Sequence, residues 1–411
     1  MARAGTVNDK LNTLTYFESI ILNSNVANRL INSAFMSLLM KLLKTVKSAY
    51  LKIRLCSIIG QLVRHSTVIG NQVAECGLCS LLAEITKDKT EKVRRKAVAS
   101  LGEFLFYAAT QLDDEQADQV WEIPQIAIMQ LIKCLASNED EVVRFYACKT
   151  IENITAQSIQ AGCAFATLET ATLLLSIYHS TSNEPFKISA AVSISHICKL
   201  NTTLFPTIFE SLTCKQFSQA ILDGPPRIQQ AFITMLIIAL TSPYQKLNDQ
   251  LQEEEIFHKA LASLIDNKSI VIRGKVVLTY LLLFKMNPQW FVIAIELKFY
   301  QSIEKLLRDG FKYVQCCLLC LVENVSQMMP QMIQQVEIAF TSYVNGDHSI
   351  ARLNEPQSKG IKKVFKGSKS DFTALRGQLM VLLAMQEMLQ SAVFKSKICK
   401  GNFVQFVARM L

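Results

Sequence analysis

The chain has 411 residues, a formal net charge of +9 and 50% hydrophobic residues. This composition excludes ordinary disorder for most of the chain. The modest positive charge is compatible with an acidic protein, a nucleic acid or an anionic membrane as a partner, and it does not distinguish among them. The 14 glycines and 9 prolines are few for this length, which favours helices over sheets.

The N-terminus has no apolar run, so we expect no secretory signal. The most apolar stretches, 231–240 and 276–284, are about half as long as a bilayer-spanning helix, and we expect no membrane span. Twelve cysteines in such a chain indicate free thiols in a reducing compartment. These features predict a cytoplasmic protein.

In chain order, residues 1–46 are predicted to form an N-terminal helical cap, and a repeat follows over 47–344. Each repeat contains a strongly apolar helix that opens on a basic residue, here called the anchor, and the seventh anchor is a glutamine. The anchors are Arg54, Arg94, Arg144, Lys187, Arg227, Arg273 and Gln315. Their spacings are 40, 50, 43, 40, 46 and 42 residues. This period is typical of armadillo and HEAT repeats.

Positions −1, +3, +4 and +7 from each anchor are expected to form one buried stripe, because these spacings share a helix face. The +4 residues are Ile58, Val98, Cys148, Ala191, Ala231, Val277 and Leu319. Second helices are predicted near 72–86, 126–136 and 256–265. Stacking of successive repeats would bury the apolar face that a single helix pair leaves exposed to solvent. The fold class predicted is therefore all-α, a right-handed α-solenoid of armadillo/HEAT-like repeats.

The C-terminal part departs from this pattern. Residues 345–370 contain glycines, a proline and five lysines with little helical periodicity, which predicts a basic loop insertion. Residues 371–411 are predicted to be C-terminal capping helices. The loop lysines are Lys359, Lys362, Lys363, Lys366 and Lys369. They either contact an acidic partner such as a tubulin tail, a phosphoinositide headgroup or RNA, or belong to a solvated insertion.

Residues 91–110 (EKVRRKAVASLGEFLFYAAT) and 140–157 (DEVVRFYACKTIENITAQ) resemble the C-terminal repeat region of the fused-type kinases. That family includes a plant kinase and an animal ciliary pseudokinase. The resemblance implies a scaffold at cilia or other microtubule-based structures. It also implies protein partners, with tubulin, microtubule-associated proteins and a separate kinase or pseudokinase subunit as candidates. We expect no nucleic-acid partner.

The 411 residues contain no kinase motifs: there is no phosphate-binding glycine loop, V-A-I-K lysine, H-R-D or D-F-G. The nearest approach, Asp371-Phe372-Thr373, lacks the glycine. We therefore expect either a detached C-terminal half of such a kinase or a kinase-free relative. No catalytic residue is predicted.

No metal or cofactor site is predicted either. The pair Cys76 and Cys79 has the spacing of a metal or redox motif, but no second pair completes four ligands. Cys316, Cys317 and Cys320 lie on a core helix. The five histidines are scattered and form no recognisable site. We expect buried free thiols at these positions.

Asn153 and Asn324 lie nine residues after their anchors, where an armadillo asparagine can bond the main chain of an extended peptide. The alternative is an amide that is solvated or bonded locally. No asparagine ladder is expected, because Val63, Glu103, His196, Leu236 and Leu282 occupy the matching positions.

The anchor arginines could bind acidic ligands, and Arg94 with Arg95 and Lys96 forms the most basic unit. Alternatively, they pair with acids or carbonyls of the turns, as Arg144 could with Asp140. These residues predict a non-catalytic scaffold that binds protein partners. A transport receptor or vesicle adaptor that binds cargo peptides is the alternative.

Overall fold

The computed structural model describes residues 6–112, 121–242 and 246–344, with a few single positions between 383 and 395. All regular elements in these ranges are helical. The chain divides into two compact units, residues 1–204 and 205–411. The predicted loop 345–370 and nearly all of the predicted C-terminal cap lie outside the described residues.

The first unit contains twelve α-helices in its described residues. They are α1 (Val7–Ile20), α2 (Ser24–Ile31), α3 (Ala34–Thr45), α4 (Ala49–His65), α5 (Asn71–Glu75), α6 (Leu78–Ile85), α7 (Glu91–Leu112), α8 (Gln125–Lys133), α9 (Glu141–Gln157), α10 (Ile159–Cys163), α11 (Leu168–Ser180) and α12 (Glu184–Leu200). The four long helices α4, α7, α9 and α12 pack side by side in that order. The helices of the predicted cap, α1 to α3, pack against α4.

The second unit contains nine helices in its described residues. They are α13 (Phe205–Leu212), α14 (Cys214–Asp223), α15 (Pro226–Leu240), α16 (Lys246–Glu253), α17 (Glu255–Leu264), α18 (Ile270–Met286), α19 (Gln289–Glu296), α20 (Phe299–Leu306) and α21 (Lys312–Val344). Here α15, α18 and α21 pack side by side, and α14 packs against both α15 and α17.

Local sequence sets the start of these helices. The Asp140 carboxylate accepts a hydrogen bond from the Val143 amide at 3.1 Å and so caps α9. Asn183 caps α12 through the Phe186 amide, and Pro185 occupies the first turn, where its missing N–H is harmless. Polar residues in the turns before these helices therefore supply the helix caps.

The same order of buried and exposed positions recurs in three anchor helices, over 51–64, 93–106 and 143–156. The fourth, over 186–199, differs only at Ser189, which is buried. Because one helix face packs identically each time, the repeat is structural as well as sequential. The fold class is confirmed as an all-α solenoid of helical repeats.

This burial pattern corrects two predicted anchors. The first anchor is Lys52 rather than Arg54, and the fifth anchor is Gln229 rather than Arg227. The residue before each corrected anchor is buried: Leu51, Val93, Val143, Phe186, Ile228, Ile272 and Val314. The corrected spacings are 42, 50, 43, 42, 44 and 42 residues. The sequence obscured this register because an arginine lies two residues from the true anchor in each case.

Burial of the predicted +4 residues is confirmed for six of them and wrong for Leu319. Ile58, Val98, Cys148 and Val277 have no exposed surface, whereas Leu319 is 43% exposed. The reason is that α21 buries a single stripe against α18, at positions 314, 317, 318, 321 and 322. Leu319 lies on the opposite face of that helix.

Candidate protein-binding surface

Five of the seven anchors, Arg94, Arg144, Gln229, Arg273 and Gln315, donate to carbonyl groups of the segment that precedes their own helix. Arg94 Nη1 donates to the Asp88 and Lys89 carbonyls at 3.1 and 3.3 Å. Gln229 Nε2 and Gln315 Nε2 donate in the same way to carbonyls at the ends of α14 and α20. A carbonyl at a helix end has no partner within its helix, so each of these anchors satisfies groups that would otherwise be unpaired.

Several anchors also bind an acid in the next turn. Lys52 pairs with Asp88 at 2.6 Å, and Arg94 pairs with Glu139 at 2.7 Å. In the second unit, Arg273 Nη2 lies 2.7 Å from Asp309 Oδ2. These side chains therefore hold consecutive repeats together within each unit.

Of the three basic site residues predicted on α7, two are engaged in this way. Arg94 is paired as described, and Arg95 Nη2 lies 2.7 Å from Asp140 Oδ1. The hydrogen bond from Arg95 lowers the pKa of Asp140 to about 2. Lys96 is exposed and has no ion pair in the described part of the chain.

The suggested pair between Asp140 and Arg144 is wrong. Arg95 of the preceding repeat holds the Asp140 carboxylate. Arg144 Nε instead donates to the Leu135 carbonyl at 3.3 Å, and its guanidinium lies 5.8 Å from the centre of the Phe186 ring. Cross-repeat contacts thus replace the pair within one helix.

Each anchor helix of the first unit leaves a narrow row of side chains partly exposed after its first turn. With the corrected anchors, these are positions +2, +5, +9 and +12, with Ser189 as the one buried member. We call this set the exposed stripe: Arg54, Ser57, Gln61, Arg64, Lys96, Ala99, Glu103, Phe106, Tyr146, Lys149, Asn153, Ala156, Val192, His196 and Lys199. Since the four helices pack side by side with the same burial pattern, their stripes adjoin.

The +9 positions form a row through the middle of the exposed stripe, and all four side chains can form hydrogen bonds. They are Gln61, Glu103, Asn153 and His196. Gln61 Oε1 is buried without a hydrogen-bond partner, and the Asn153 amide has no partner within the described ranges. Glu103 lies 3.8 Å from Arg64, and burial raises the pKa of its carboxyl. We call these four residues the +9 row.

The sequence prediction missed Gln61 because the first anchor was placed two residues too late, which put Val63 in the row. Val63 is buried. The second predicted asparagine, Asn324, forms a hydrogen bond within its own helix: its Nδ2 donates to the Cys320 carbonyl at 2.8 Å. The structure therefore separates two residues that the sequence treated alike.

Glu152 is a buried acid beside Asn153 that sequence reasoning also missed. Its side chain is 5% exposed and lies 2.7 Å from Lys149 Nζ, while Ser189 Oγ of α12 donates to it at 2.6 Å. At the matching +8 position the two earlier helices have Gly60 and Gly102. The carboxylate thus bridges α9 to α12 and fixes Lys149 next to the +9 row.

Glycine at +8 lets the first three anchor helices approach closely. A Cβ on Gly60 would lie 2.6 Å from Ser100 Oγ, and a Cβ on Gly102 would lie 2.3 Å from Thr150 Oγ1. Both distances are too short for real carbon atoms, so a larger residue would force Ser100 or Thr150 to shift.

The predicted burial of the thiols is confirmed for Cys79 and Cys317 and wrong for Cys76, Cys316 and Cys320, which are exposed. Cys316 and Cys320 lie outside the stripe that α21 buries. Burial raises the pKa of Cys148 to about 12, and burial does the same for Cys198 and Cys79. Such thiols are protonated at neutral pH and are poor nucleophiles. Within the described ranges, no group of three or more His, Cys, Asp or Glu side chains could hold a metal ion.

No helix in the described ranges combines the length and apolar character required to cross a bilayer.

These features define the class of the molecule, an α-solenoid of armadillo/HEAT-like repeats with a polar row on one face of its first unit. The fold agrees with the solved structure of an engineered protein, which has a TM-score of 0.61 at 12% identity. That alignment covers 93% of this chain and 97% of the engineered one. No protein-family model matches the chain.

Among known proteins, the chain is similar to the serine/threonine-protein kinase RUNKEL of Arabidopsis thaliana, with 28% identity over 350 residues. It is also similar to the serine/threonine-protein kinase ULK4 of Mus musculus, with 24% identity over 356 residues. The matches cover 80% and 84% of this chain but only 26% and 27% of those proteins. The chain therefore spans about a quarter of the length of these relatives, and the predicted resemblance to the fused-type kinases is confirmed.

Proposed function

We propose that this chain is a non-catalytic scaffold that binds protein partners through the exposed stripe of its first unit. The observation that carries the proposal is the repetition of one partly exposed row in phase on four adjacent helices. The row contains hydrogen-bonding groups that are unused within the described residues, at Gln61 and Asn153. The Asn153 side chain is partly exposed, so its amide is open to hydrogen bonds from a bound partner.

Affinity capture with a blocked surface tests this proposal. Asn153→Arg would place a bulky charged side chain in the +9 row. Asn324→Arg is the matched control, because it makes the same change at the +9 position of α21. We expect quantitative mass spectrometry to find a set of proteins captured by the wild type and by the control but not by Asn153→Arg. Identical capture by both variants would contradict the proposal.

The absence of catalysis is the second part of the proposal. It is supported by the missing kinase motifs in the sequence and by the high pKa values of the buried thiols. We expect millimolar ATP without excess metal to leave the melting temperature unchanged. A clear nucleotide-dependent shift would overturn this part.

We assign the scaffold to a ciliary or other microtubule-associated assembly, with tubulin or a separate kinase or pseudokinase subunit among its partners. This assignment is supported by the similarity to the fused-type kinases and by the lysine cluster at 359–369. A cluster of lysines would attract acidic tubulin tails over a Debye length of about 8 Å at physiological salt.

Replacing the five cluster lysines with serine tests the microtubule contact. The variant should co-sediment less with microtubules and show a flatter salt dependence, with an unchanged melting temperature. The residues to change are Lys359, Lys362, Lys363, Lys366 and Lys369. Equal sedimentation of both proteins across a salt series would exclude the contact.

A further inference from the structure

We propose that the exposed stripe of the first unit binds an extended acidic peptide segment. The main chain of that segment would bond to the +9 row, and its carboxylates would pair with flanking cations. This inference rests on the proposed function and names the chemistry of the partner.

The charges of the exposed stripe are strongly unequal. Its fifteen residues include two arginines and three lysines but a single acid, Glu103. Arg54 is neutralised by Glu18 at 2.5 Å, and Lys149 is neutralised by the buried Glu152.

Three stripe cations remain available to a ligand. Lys96 and Lys199 are exposed and have no ion pair in the part of the chain that the structure describes. Arg64 is 68% exposed and lies 3.8 Å from Glu103, so this ion pair is weak and screened by water. A partner with two or three carboxylates would therefore meet complementary charge on α4, α7 and α12.

The +9 row supplies the groups that an extended main chain needs. A side-chain amide such as that of Asn153 can donate to a peptide carbonyl and accept from a peptide N–H at the same time. Gln61 is partly exposed, and rotation of its side-chain amide would bring Oε1, which is buried without a partner, to a peptide N–H. Glu103 is a second acceptor in the same row.

The spacing of the row fits this mode of binding. Packed helices lie about 8–10 Å apart, and an extended chain advances about 3.3 Å per residue. One row side chain is therefore met about every three residues, and about eight residues of peptide would span all four helices. A segment of that length has room for carboxylates on alternate side chains.

A single-stranded nucleic acid fits the stripe less well. Its phosphodiester backbone carries no N–H donor, so it would leave the Gln61 and Glu103 acceptors unpaired. Its charge also lies on the backbone itself, which would face the Glu103 carboxylate, whereas a peptide has an uncharged backbone and carries its carboxylates on side chains that can point away from Glu103. The peptide satisfies both features, which is why we infer a protein partner.

Fluorescence anisotropy with labelled peptides of twelve residues tests the inference on the full chain. The probes are an alternating Glu–Thr peptide, the Gln–Thr and Lys–Thr peptides of equal length, a Glu–Thr peptide N-methylated at alternate residues, and a twelve-residue oligothymidylate. We expect the Glu–Thr peptide to bind at least tenfold more tightly than any other probe. Equal binding of the Gln–Thr peptide, the Lys–Thr peptide or the oligothymidylate would overturn the inference, as would no binding of the Glu–Thr peptide at 1 mM.

Two pairs of matched variants locate the peptide. Asn153→Ala should weaken Glu–Thr binding about fivefold, the loss of one net hydrogen bond, while Asn324→Ala leaves it unchanged. The double variant Lys96→Gln/Lys199→Gln should weaken binding about tenfold and flatten its salt dependence. Lys285→Gln, an exposed lysine at the +12 position of α18, should have no effect. Equal effects within either pair would place the peptide elsewhere.

Melting temperatures of all variants should match that of the wild type, because the changed side chains are partly or fully exposed. The two proposals fail separately. If Asn153→Arg abolishes protein capture but no acidic peptide binds, the scaffold proposal stands and the acidic segment is wrong. If neither capture nor peptide binding depends on the stripe, both proposals fall.

Discussion

The two units occupy the +9 position of their anchor helices with different side chains. In the first unit the +9 row is polar throughout, and two of its members have unused hydrogen-bonding groups. In the second unit the matching residues are Ile238, Leu282 and Asn324, of which the last is bonded within its own helix. A shared repeat architecture thus carries a hydrogen-bonding surface in one unit and a largely apolar one in the other.

The packing behind these rows differs as well. In the first unit the anchor helices meet at small residues such as Gly102, with the buried Glu152 at the last junction. In the second unit large rings fill the core: the Tyr280 and Phe299 ring centres are 3.8 Å apart. Where two helices meet at glycine or other small residues, an added side-chain atom has no free space to occupy. Gly274 of α18 lies as close to the Tyr313 ring of α21, so we expect the junction glycines of both units to be sensitive to substitution.

The largest difference between the units is expected at the +4 position. Val98→Asp would bury an unpaired carboxylate at a site with no exposed surface, so the free energy of unfolding should fall by about 4 kcal/mol. Leu319→Asp makes the equivalent change on an exposed face and should cost about 0.5 kcal/mol. Urea unfolding followed by circular dichroism measures both. Equal losses would contradict the single buried stripe assigned to α21.

Removal of the buried acid should have the next largest effect. Glu152→Ala would leave Ser189 Oγ and Lys149 Nζ without their partner and open a gap between α9 and α12. We expect a loss of about 2 kcal/mol in the free energy of unfolding. Glu323→Ala is the control, because Glu323 is exposed at the same +8 position of α21 and its loss should be nearly neutral. A neutral Glu152→Ala would show that the carboxylate does not hold the two helices together.

A methyl group at a helix junction tests the close approach directly. Gly102→Ala gains about 1 kcal/mol of helix propensity but forces Cβ against Thr150 Oγ1, and we expect a net loss of about 1–2 kcal/mol. Thr150→Ala in the same chain should recover at least half of that loss, since it removes the clashing atom. Gly310→Ala in the second unit meets no atom within 4 Å and should be neutral. Additive losses in the double variant would exclude the clash.

The smallest effect concerns pH. The hydrogen bond from Arg95 holds the pKa of Asp140 at about 2, below the unfolded value of about 3.9. The pair therefore stabilises the fold above about pH 4, and its contribution is lost as the pH falls towards 2. Asp140→Asn should cost about 0.5–1 kcal/mol at pH 7, because Arg95 is partly exposed and solvent screens the pair.

The pH prediction has its own control. The difference between the wild type and Asp140→Asn should shrink as the pH falls from about 4 to 2. Asp266→Asn removes an exposed partner of Lys305 in the second unit and should leave stability unchanged at every pH. A difference for Asp140→Asn that grows on acidification would contradict the assigned ion pair.

The sequence predicted the helical repeat and its period because the buried positions recur every 42 to 50 residues. It could not fix the register in two repeats. Arg54 and Arg227 follow apolar or proline residues just as the true anchors do. The burial of Leu51 and Ile228 separates them, together with the carbonyl contacts of Gln229. Pattern alone does not show which face of a helix meets its neighbour.

The candidate surface was predicted only in part. Asn153 was identified from its spacing, whereas Gln61 was missed because the error in register moved it out of the row. Glu152 has the sequence appearance of an exposed acid, and its burial depends on the distant Ser189. The predicted loop lysines lie outside the described residues, so their role stays a prediction. Contacts between repeats were the information that the sequence lacked.

Site-specific photo-crosslinking tests the central claim most directly, because it reports which unit touches a partner. A benzophenone amino acid would replace either Ala156 or Gln327, which are exposed +12 residues on α9 and α21. After irradiation in cells, we predict discrete protein adducts from position 156 and none from position 327. Equal adducts from both positions, or adducts from position 327 alone, would contradict the assignment of partner binding to the first unit.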